Sequence, residues 1–450
     1  MQTDEPTARP GAFPEEAILP GHAAYDEHRV SFNGMLDRRP AAILSCATTD
    51  EVVAAVRMAR GVGLPIAIRG GGHSVAGHGI ADDAVMVSLA AMRSVTIDPV
   101  LRLAHAGGGC QWNDVDGAAF AHGLAVPGGT FGDTGIGGLT LGGGLGWLMP
   151  IAGLTCDNLV EAEVVTADGS VVIAGPDGDP DLLWALRGGG GNFGVVTRFT
   201  YRLTPIGPMY GGVVRYLASA ASDILARLAE IVADHPTALL PTMSVRRDPE
   251  AGGVIGMLVG IVDGSDPEPI VAALRRDLPV LSEDLGPRTY LELQAASGIM
   301  PFGLRNYWKG HFLTGLDGPL LTSLADACAA PDAIGLSFVL IEGLTGAGRV
   351  EPEGGAAFGG RAARWNASAL AIWESPGDDD VAVGWARRVA DLLVPASLTG
   401  GGYVNYSPAD ETPDRVRAAY GDERWQRLVA VKRRHDPDNV FRFNHNIPPG

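Results

Sequence analysis

The chain has few cysteines, and this scarcity limits the chemistry that sulfur could support. Its four cysteines are widely separated along 450 residues: Cys46, Cys110, Cys156 and Cys328. They form no Cys-x-x-Cys pair, no spacing typical of a metal site and no disulfide framework. We therefore expect them to be small, buried, apolar residues.

Positive charge is also scarce. The chain has 34 lysines and arginines against 52 aspartates and glutamates, so its formal net charge is −18. A field of this sign repels nucleic acid and anionic membrane surfaces, and neither is an expected partner. No apolar run reaches the length of a membrane span. Residues 1–6 lack the basic and apolar regions of a signal peptide. We expect a cytoplasmic protein, either a monomer or a homodimer.

Several common catalytic signatures are missing as well. The sequence contains no His-Glu-x-x-His, Gly-x-Ser-x-Gly or Walker A pattern. His78, His122 and His435 have no partner at metal-ligand spacing, so we expect them to be structural histidines. The sequence therefore predicts no metal site.

Glycine, by contrast, is abundant, with 63 residues, and one cluster follows a predicted strand at 65–68. This segment, 69–77, reads Arg-Gly-Gly-Gly-His-Ser-Val-Ala-Gly. Adjacent glycines let a backbone approach an anion closely, and successive amides form a nest suited to a pyrophosphate. Arg69 adds a cation. His73 adds a nucleophilic imidazole that a phosphate loop alone does not require. An isolated loop of this kind is as often an ordinary turn.

Two further glycine-rich segments favour the binding interpretation. They span 128–146 and 188–194. Three such segments in the first half of the chain indicate close backbone approach along a long ligand.

Here the chain resembles the berberine bridge enzyme type of FAD-linked oxidases, in the vanillyl-alcohol oxidase superfamily. The resemblance covers about 13–448, and its tail is similar to the bacterial hydroxynicotine oxidase branch. It rests on segment 69–77, on Pro-Gly-Gly-Thr at 127–130, on the glycine run at 137–144, on Gly-Asn-Phe-Gly at 191–194, and on the C-terminal segments 403–406, 436–439 and 444–447.

The resemblance implies an α+β fold: a two-part FAD-binding domain of the PCMH type, with an inserted substrate domain whose antiparallel sheet is covered by helices. We expect the FAD-binding domain at 1–205 and 401–450 and the substrate domain at 206–400. Periodicity independently predicts alternating elements in the middle region. These are strands at 212–216, 241–246, 254–262, 336–343 and 366–373, and helices at 217–234, 266–277, 318–329 and 380–394.

The resemblance also implies which residues bind FAD. The expected set is Arg69, Gly70, Gly71, Gly72, His73, Ser74, Gly77, Pro127, Gly128, Gly129, Thr130, Thr134, Gly137, Gly138, Gly142, Gly143, Gly146, Asn192, Val196, Tyr403, Asn405, Asn444 and Asn446. Asparagine amides suit the polar edge of the flavin ring, because each offers both donors and an acceptor.

His73 matches the residue that relatives bond covalently to the flavin. Many relatives carry a second link, through a cysteine one residue after the Gly-Thr pair. That position is Phe131 here. We therefore expect covalent attachment through His73, no cysteinyl link, and a substrate other than a sugar.

Oxidation by a flavin needs a group that removes an O–H or N–H proton from the substrate while hydride leaves the neighbouring carbon. Tyr406 matches the tyrosine that acts as base in some relatives. Free tyrosine has a pKa of about 10, so a nearby cation such as Lys309 or Arg305 would have to lower it. Tyr307 and Glu374 are rival bases.

These observations together predict a FAD-dependent oxidase. Its expected substrate is a small or medium alcohol, amine or phenolic compound of the secondary-metabolite kind, and its second partner is O2, which yields H2O2. Two alternatives stay open: a flavin dehydrogenase with another electron acceptor, and a ligand-sequestering flavoprotein with little turnover. A nicotinamide-dependent Rossmann enzyme is disfavoured, because segment 66–72 lacks the required strand–GxGxxG–helix arrangement.

Overall fold

A computed structural model describes residues 13–296, 298 and 301–450. Residues 1–12, on which the expected absence of a signal peptide rests, lie outside it. The first half of the described chain has short strands and helices. The strands are Ala42–Ser45 (β1), Ile66–Arg69 (β2), Val85–Ser88 (β3), Val95–Asp98 (β4), Leu103–Gly107 (β5), Leu124–Ala125 (β6), Leu159–Val165 (β7), Val171–Ala174 (β8), Val195–Arg202 (β9) and Thr204–Pro205 (β10). The helices are Tyr25–His28 (α1), Thr49–Val62 (α2), Trp112–Phe120 (α3), Ile136–Leu141 (α4), Met149–Ala152 (α5) and Pro180–Leu186 (α6).

The second half has longer elements. Its strands are Met209–Leu217 (β11), Thr242–Asp248 (β12), Gly252–Ile261 (β13), Val280–Arg288 (β14), Arg305–Leu313 (β15), Phe338–Gly343 (β16) and Trp365–Trp373 (β17). Its helices are Ala221–Asp234 (α7), Pro267–Arg275 (α8), Tyr290–Ala295 (α9), Gly318–Ala329 (α10), Asp379–Leu393 (α11), Pro413–Tyr420 (α12) and Asp422–His435 (α13). The predicted α+β class is confirmed.

Local sequence explains where the helix before the glycine loop begins and ends. Thr48 accepts a hydrogen bond from the Glu51 amide, and the Glu51 side chain accepts from the Thr48 amide, which completes a capping box. The helix ends at Gly63, whose φ of 74° is left-handed and favours glycine. β2 follows at once and delivers the chain to the loop.

The strands of the first half form two main sheets. β1, β3 and β2 make a parallel sheet in that order. β4, β5, β9, β7 and β8 make an antiparallel sheet, in which β7 and β8 form a hairpin. The C-terminal segment returns to this region, since Val416, Leu428 and Ile447 are buried in the same core as residues of β5 and β9.

The second half forms one seven-stranded antiparallel sheet in the order β14-β11-β13-β12-β16-β17-β15. Alternate residues of each strand point to opposite faces. On β12, Met243 and Val245 pack in the core with α7, α8, α10 and α11. Thr242 and Ser244 face a cavity on the other side. Helices therefore cover one face, as predicted.

Two strands of this sheet, β14 and β15, were not predicted. Both are edge strands, so each pairs on one side only. β14 carries four exposed side chains in its first five residues, and β15 mixes charged residues with aromatic ones. An edge strand needs less apolar surface than a central one, which leaves little periodic signal.

Two of the glycine-rich loops cross with their backbones in contact. A Cβ atom added at Gly135 would lie 2.5 Å from the Gly71 nitrogen. The φ and ψ of Gly135, −65° and 135°, suit any residue, so the constraint is one of space alone. A second contact of this kind joins Gly146 to the carbonyl of Gly128.

The four cysteines are buried and unpaired, as expected. Within the described ranges, no helix has both the length and the apolar character that crossing a membrane requires.

We predict that Gly135→Ala destabilises the protein by about 1–3 kcal/mol, because the added methyl group overpacks the loop crossing. Gly117→Ala is the matched control. Gly117 lies inside α3 with no atom within 4 Å of an added Cβ, so alanine there should be neutral or stabilising by up to about 1 kcal/mol. Thermal unfolding measures both. Equal thermal stability of Gly135→Ala and Gly117→Ala would contradict the close contact between the two loops.

Candidate functional site

A cavity of about 560 Å³ lies between the open face of the seven-stranded sheet and the glycine-rich loops. Its lining combines loop backbone with apolar side chains such as Leu258, Leu340 and Trp308. A concave, mostly apolar space with a few polar groups is typical of a ligand site.

Segment 69–77 supplies one wall. It leaves β2 at Arg69, whose guanidinium donates to the carbonyls of His28 (3.2 Å) and Val30 (2.5 Å). This anchors the loop to the preceding segment. Burial lowers the pKa of Arg69, but a guanidinium stays charged at neutral pH.

His73 projects into the cavity from this loop. Its ring stacks on Phe32 at 5.2 Å and meets Phe302 edge-on at 4.9 Å. Its Nε2 atom lies 3.4 Å from Asp133 Oδ2, too poorly aligned for a hydrogen bond, and is buried without a partner. Burial lowers the pKa of His73; Asp133 opposes the shift and Arg69 adds to it. The imidazole is therefore neutral at neutral pH and held in one orientation.

Other buried polar atoms around the cavity also have no partner among the described residues. These are Nε2 of His78, Nε1 of Trp147, and Oδ1 of both Asn444 and Asn446. Unsatisfied buried polar atoms are costly, and a ligand bound in the cavity could supply partners for these four. The donors, acceptors and bare loop backbone together fit a long ligand with a polar ring edge and a phosphate group, which describes FAD.

The structure brings most of the expected cofactor-binding residues to the cavity. Its lining contains Arg69, Gly70, Gly71, Gly72, His73, Ser74, Gly129, Thr130, Thr134, Gly137, Gly138, Gly142, Asn192, Val196, Tyr403, Asn405 and Asn444. Phe131, at the position of the second link in relatives, also lines it.

The other expected residues are not part of this lining: Gly77, Pro127, Gly128, Gly143, Gly146 and Asn446. Several of them contact other parts of the protein. The Gly77 Cα faces Leu36, that of Gly146 faces the Gly128 carbonyl, and that of Gly143 faces Phe358. The Pro127 carbonyl accepts a hydrogen bond from Thr155.

Tyr406 lies in the cavity wall, and its partner is an acid. Its hydroxyl donates to Glu342 Oε1 at 3.3 Å, and Asn366 Nδ2 donates to Glu342 Oε2 at 2.9 Å. Burial raises the pKa of Glu342 to about 7, an effect that the two hydrogen bonds only partly offset. Burial and the neighbouring Glu342 raise the pKa of Tyr406. This differs from the lowered pKa that we expected for a tyrosine base.

Lys309 and Tyr307 do not contact Tyr406. Both point to the opposite face of β15 from Trp308, because residues two apart share a face. Lys309 Nζ pairs with Glu411 at 3.1 Å, and the Tyr307 hydroxyl contacts Asp410 and Arg387.

The other two candidates are also distant from this pair. Arg305 binds Asp379, with an Nε–Oδ1 distance of 2.5 Å, and Glu374 is exposed. Tyr406 therefore contacts the buried carboxyl group of Glu342 and not the cation that we expected beside it.

Sequence reasoning missed Glu342 and Phe32, both of which line the cavity. A signal for Glu342 was present, because a single acid in the apolar strand 338–343 is unusual.

The three histidines expected to be structural differ in placement. His122 is exposed, and His435 contacts Asp179 at 3.0 Å. His78 lines the cavity edge-on to His445. Among the residues that the structure describes, no group of three potential metal ligands occurs.

Comparison with known proteins supports this picture. The family described as FAD binding domain matches residues 40–175, and the family described as berberine and berberine like matches 402–448. The chain is 32% identical to (R)-6-hydroxynicotine oxidase of Paenarthrobacter nicotinovorans, over 98% of each sequence. It is 30% identical to an uncharacterized FAD-linked oxidoreductase of Bacillus subtilis, over 94% of this chain and 95% of that protein.

Solved structures agree. The crystal structure of 6-hydroxy-D-nicotine oxidase from Arthrobacter nicotinovorans superposes with a TM-score of 0.89 and 30% identity, covering 97% of this chain and 98% of that one. Berberine bridge enzyme shares the fold, with a TM-score of 0.86 at 19% identity, covering 96% of this chain and 97% of that one. The two-part FAD-binding fold implied by the sequence motifs is confirmed.

The raised pKa of Glu342 predicts a pH-dependent stability. Its pKa rises from 4.5 unfolded to about 7 folded, so the folded state favours the protonated acid. The free energy of unfolding of the wild type therefore falls as the pH rises from about 4.5 to about 7. Glu342→Gln has no carboxyl group to ionise at this position and does not lose this stability. We expect the variant to gain on the order of 3 kcal/mol relative to the wild type between about pH 4 and 8. Chemical denaturation across this range measures the difference. Glu353→Gln, which changes an exposed glutamate, is the control, and its difference in unfolding free energy from the wild type should not vary with pH. If the difference for Glu342→Gln did not vary with pH either, the raised pKa of Glu342 would be contradicted.

Proposed function

The chain belongs to the berberine bridge enzyme-like family of FAD-linked oxidoreductases, and we propose that it is an oxidase whose flavin is bonded covalently to His73 alone. The glycine-rich loops and His73 would hold FAD, which when bound would supply hydride acceptance from the substrate and electron transfer to O2, with H2O2 as the product. The proposed substrate is a small or medium alcohol, amine or phenolic compound.

One observation carries this proposal: His73 lines the cavity, is neutral, lies against two aromatic rings, and has an Nε2 atom without a hydrogen-bond partner. A neutral imidazole nitrogen is nucleophilic, whereas a protonated one is not. The absence of sulfur at Phe131 supports a single link, because the buried thiols of Cys110 and Cys156 are not part of the cavity lining.

The Tyr406–Glu342 pair is suited to receive the substrate proton. As the substrate O–H or N–H bond breaks, the Tyr406 oxygen accepts that proton and passes its own proton to the Glu342 carboxylate. A general base works best when its pKa is near the working pH, and that of Glu342 is about 7. A tyrosine beside a carboxylate thus needs no lowered pKa of its own.

The first test is the state of the flavin in His73→Ala. Acid precipitation of the wild type should give a yellow pellet, because the flavin stays bonded to the chain, whereas the variant should leave any flavin in the supernatant. His122→Ala, which changes an exposed histidine, is the control and should resemble the wild type. A yellow wild-type supernatant would exclude the covalent link. H2O2 production from a panel of alcohols, amines and phenols then separates an oxidase from a dehydrogenase or a ligand-sequestering protein.

The second test addresses proton transfer. We expect Tyr406→Phe to lower kcat by roughly 10²–10⁴-fold, the range typical of a lost proton-transfer group. Tyr307→Phe removes the same hydroxyl from the other face of the sheet and should leave kcat near the wild-type value.

The pH profile tests Glu342 in the same assay. The kcat/KM of the wild type should rise through about pH 7 as the carboxyl group ionises, since the ionised form is the base. Glu342→Gln should lose this limb. Equal kcat values for the two tyrosine variants, or a pH limb that persists in Glu342→Gln, would assign proton transfer to another group.

A further inference from the structure

Two arginines stand at one end of the cavity, on the sheet side. Arg215 of β11 and Arg246 of β12 both line it, and both are exposed to solvent. The contacts that the structure describes for them are weak: Arg215 donates to Ser282 Oγ at 3.4 Å, and the Arg246 guanidinium lies 5.0 Å from the Phe338 ring centre. Neither contact supplies a negative charge.

A neighbouring arginine shows the more usual arrangement on this surface. Arg275 donates to both carboxylate oxygens of Glu283, at 2.9 and 2.7 Å. Guanidinium groups prefer such bidentate oxyanion partners. In a chain with 52 acidic residues, two cavity-facing arginines without a described acidic partner have their donors available for a ligand.

The side chains of the two arginines line the same end of the cavity. In the sheet register Arg215 lies opposite Gly256, and Gly256 lies opposite Ser244 on β12. Gly256 therefore leaves the row of Arg215 without a side chain on the intervening strand, whereas Val254 lies opposite Arg246 in the next row. Burial lowers the pKa of Arg246, and the nearby positive charge of Arg215 lowers it further.

The sheet register places the two arginines at different distances from the proposed proton-transfer pair. Thr242 lies opposite Glu342, and Arg246 is four residues further along the same strand. Because a strand rises about 3.4 Å per residue, the rows of Glu342 and Arg246 lie roughly 14 Å apart. The row between them contains Leu340, Ser244, Gly256 and Arg215. Leu258, in the row of Glu342, and Leu340 give this part of the cavity apolar surface.

We propose that the ligand is an apolar carboxylic acid, whose carboxylate binds Arg215 and Arg246 while its far end reaches Tyr406 and Glu342. The second half of this statement rests on the proposed function, because it identifies the far end as the part that is oxidised. The anion site itself does not depend on turnover. The net charge of −18 gives an acid no attraction to the protein as a whole, so any preference for the acid must come from local groups.

Isothermal titration calorimetry with the flavin-loaded protein tests the site without requiring oxidation. The probes are 4-phenylbutanoate and 8-phenyloctanoate, each paired with its primary amide, which has the same shape and no charge. We expect the wild type to bind the better acid about tenfold more tightly than its amide, as a charge-assisted pair at a partly open site allows.

The variant Arg215→Gln/Arg246→Gln should bind acid and amide equally. Arg247→Gln is the control, because Arg247 is the next residue on β12 and lies outside the cavity lining, so the acid preference should persist in it. Both arginines are at the surface, and unchanged thermal unfolding would show that the double variant is folded.

The outcomes separate this inference from the proposed function. A preference for the acid that disappears only in the double variant supports the site, even if no H2O2 forms from any substrate. Equal binding of acid and amide by the wild type, no binding of either, or a preference that survives in the double variant overturns the inference, whether or not the protein is an oxidase.

Discussion

The site depends on the close approach of two loop backbones at Gly71 and Gly135. A Cβ atom at either position would overlap the other loop. The crossing fixes the loop that carries His73 against the segment that carries Thr130, Phe131 and Thr134. The cavity wall is thus defined by main chain, which has few conformations available once both loops are packed. Packing of the loop fixes the backbone position of His73, and the stacked Phe32 ring fixes the plane of its imidazole.

The seven-stranded sheet provides the opposite wall of the cavity, and this wall is formed by side chains. Each strand sends alternate side chains into the helix-covered core and into the cavity, so Met243 and Val245 stabilise the fold while Thr242 and Ser244 face the ligand space. The same alternation places Glu342 beside Tyr406. It also turns Lys309 away to Glu411, which in turn binds Arg415 at 2.8 Å. These ionic contacts tie the segment after Tyr406 to the back of β15.

Much of this arrangement could be predicted from the sequence. The glycine loops and the position of His73 followed from the glycine-rich motifs, whereas the return of the C-terminal segment followed only from the family resemblance. The roles of Lys309 and Tyr307 could not be judged, since β15 was not recognised as a strand and the direction of its side chains was therefore unknown. Glu342 lay in a predicted strand, but its partner Tyr406 is 64 residues away. A pairing over that distance is set by strand order, which local periodicity does not contain. The raised pKa of Tyr406 was not predicted for the same reason, since it depends on the pairing with Glu342.

The two-faced sheet has a consequence for how such proteins diversify. Polar residues on the cavity face lie outside the core beneath the helices, and residues on the helix face do not line the cavity. Substitutions at positions such as Ser244 or Arg246 can therefore accumulate with little change in folding free energy, while Val245 and Ile341 are restrained by packing. Selection for new substrates and selection for a stable chain act on interleaved but separate sets of positions. A directed-evolution library restricted to the odd or even residues of these strands would sample new specificities without first losing the fold.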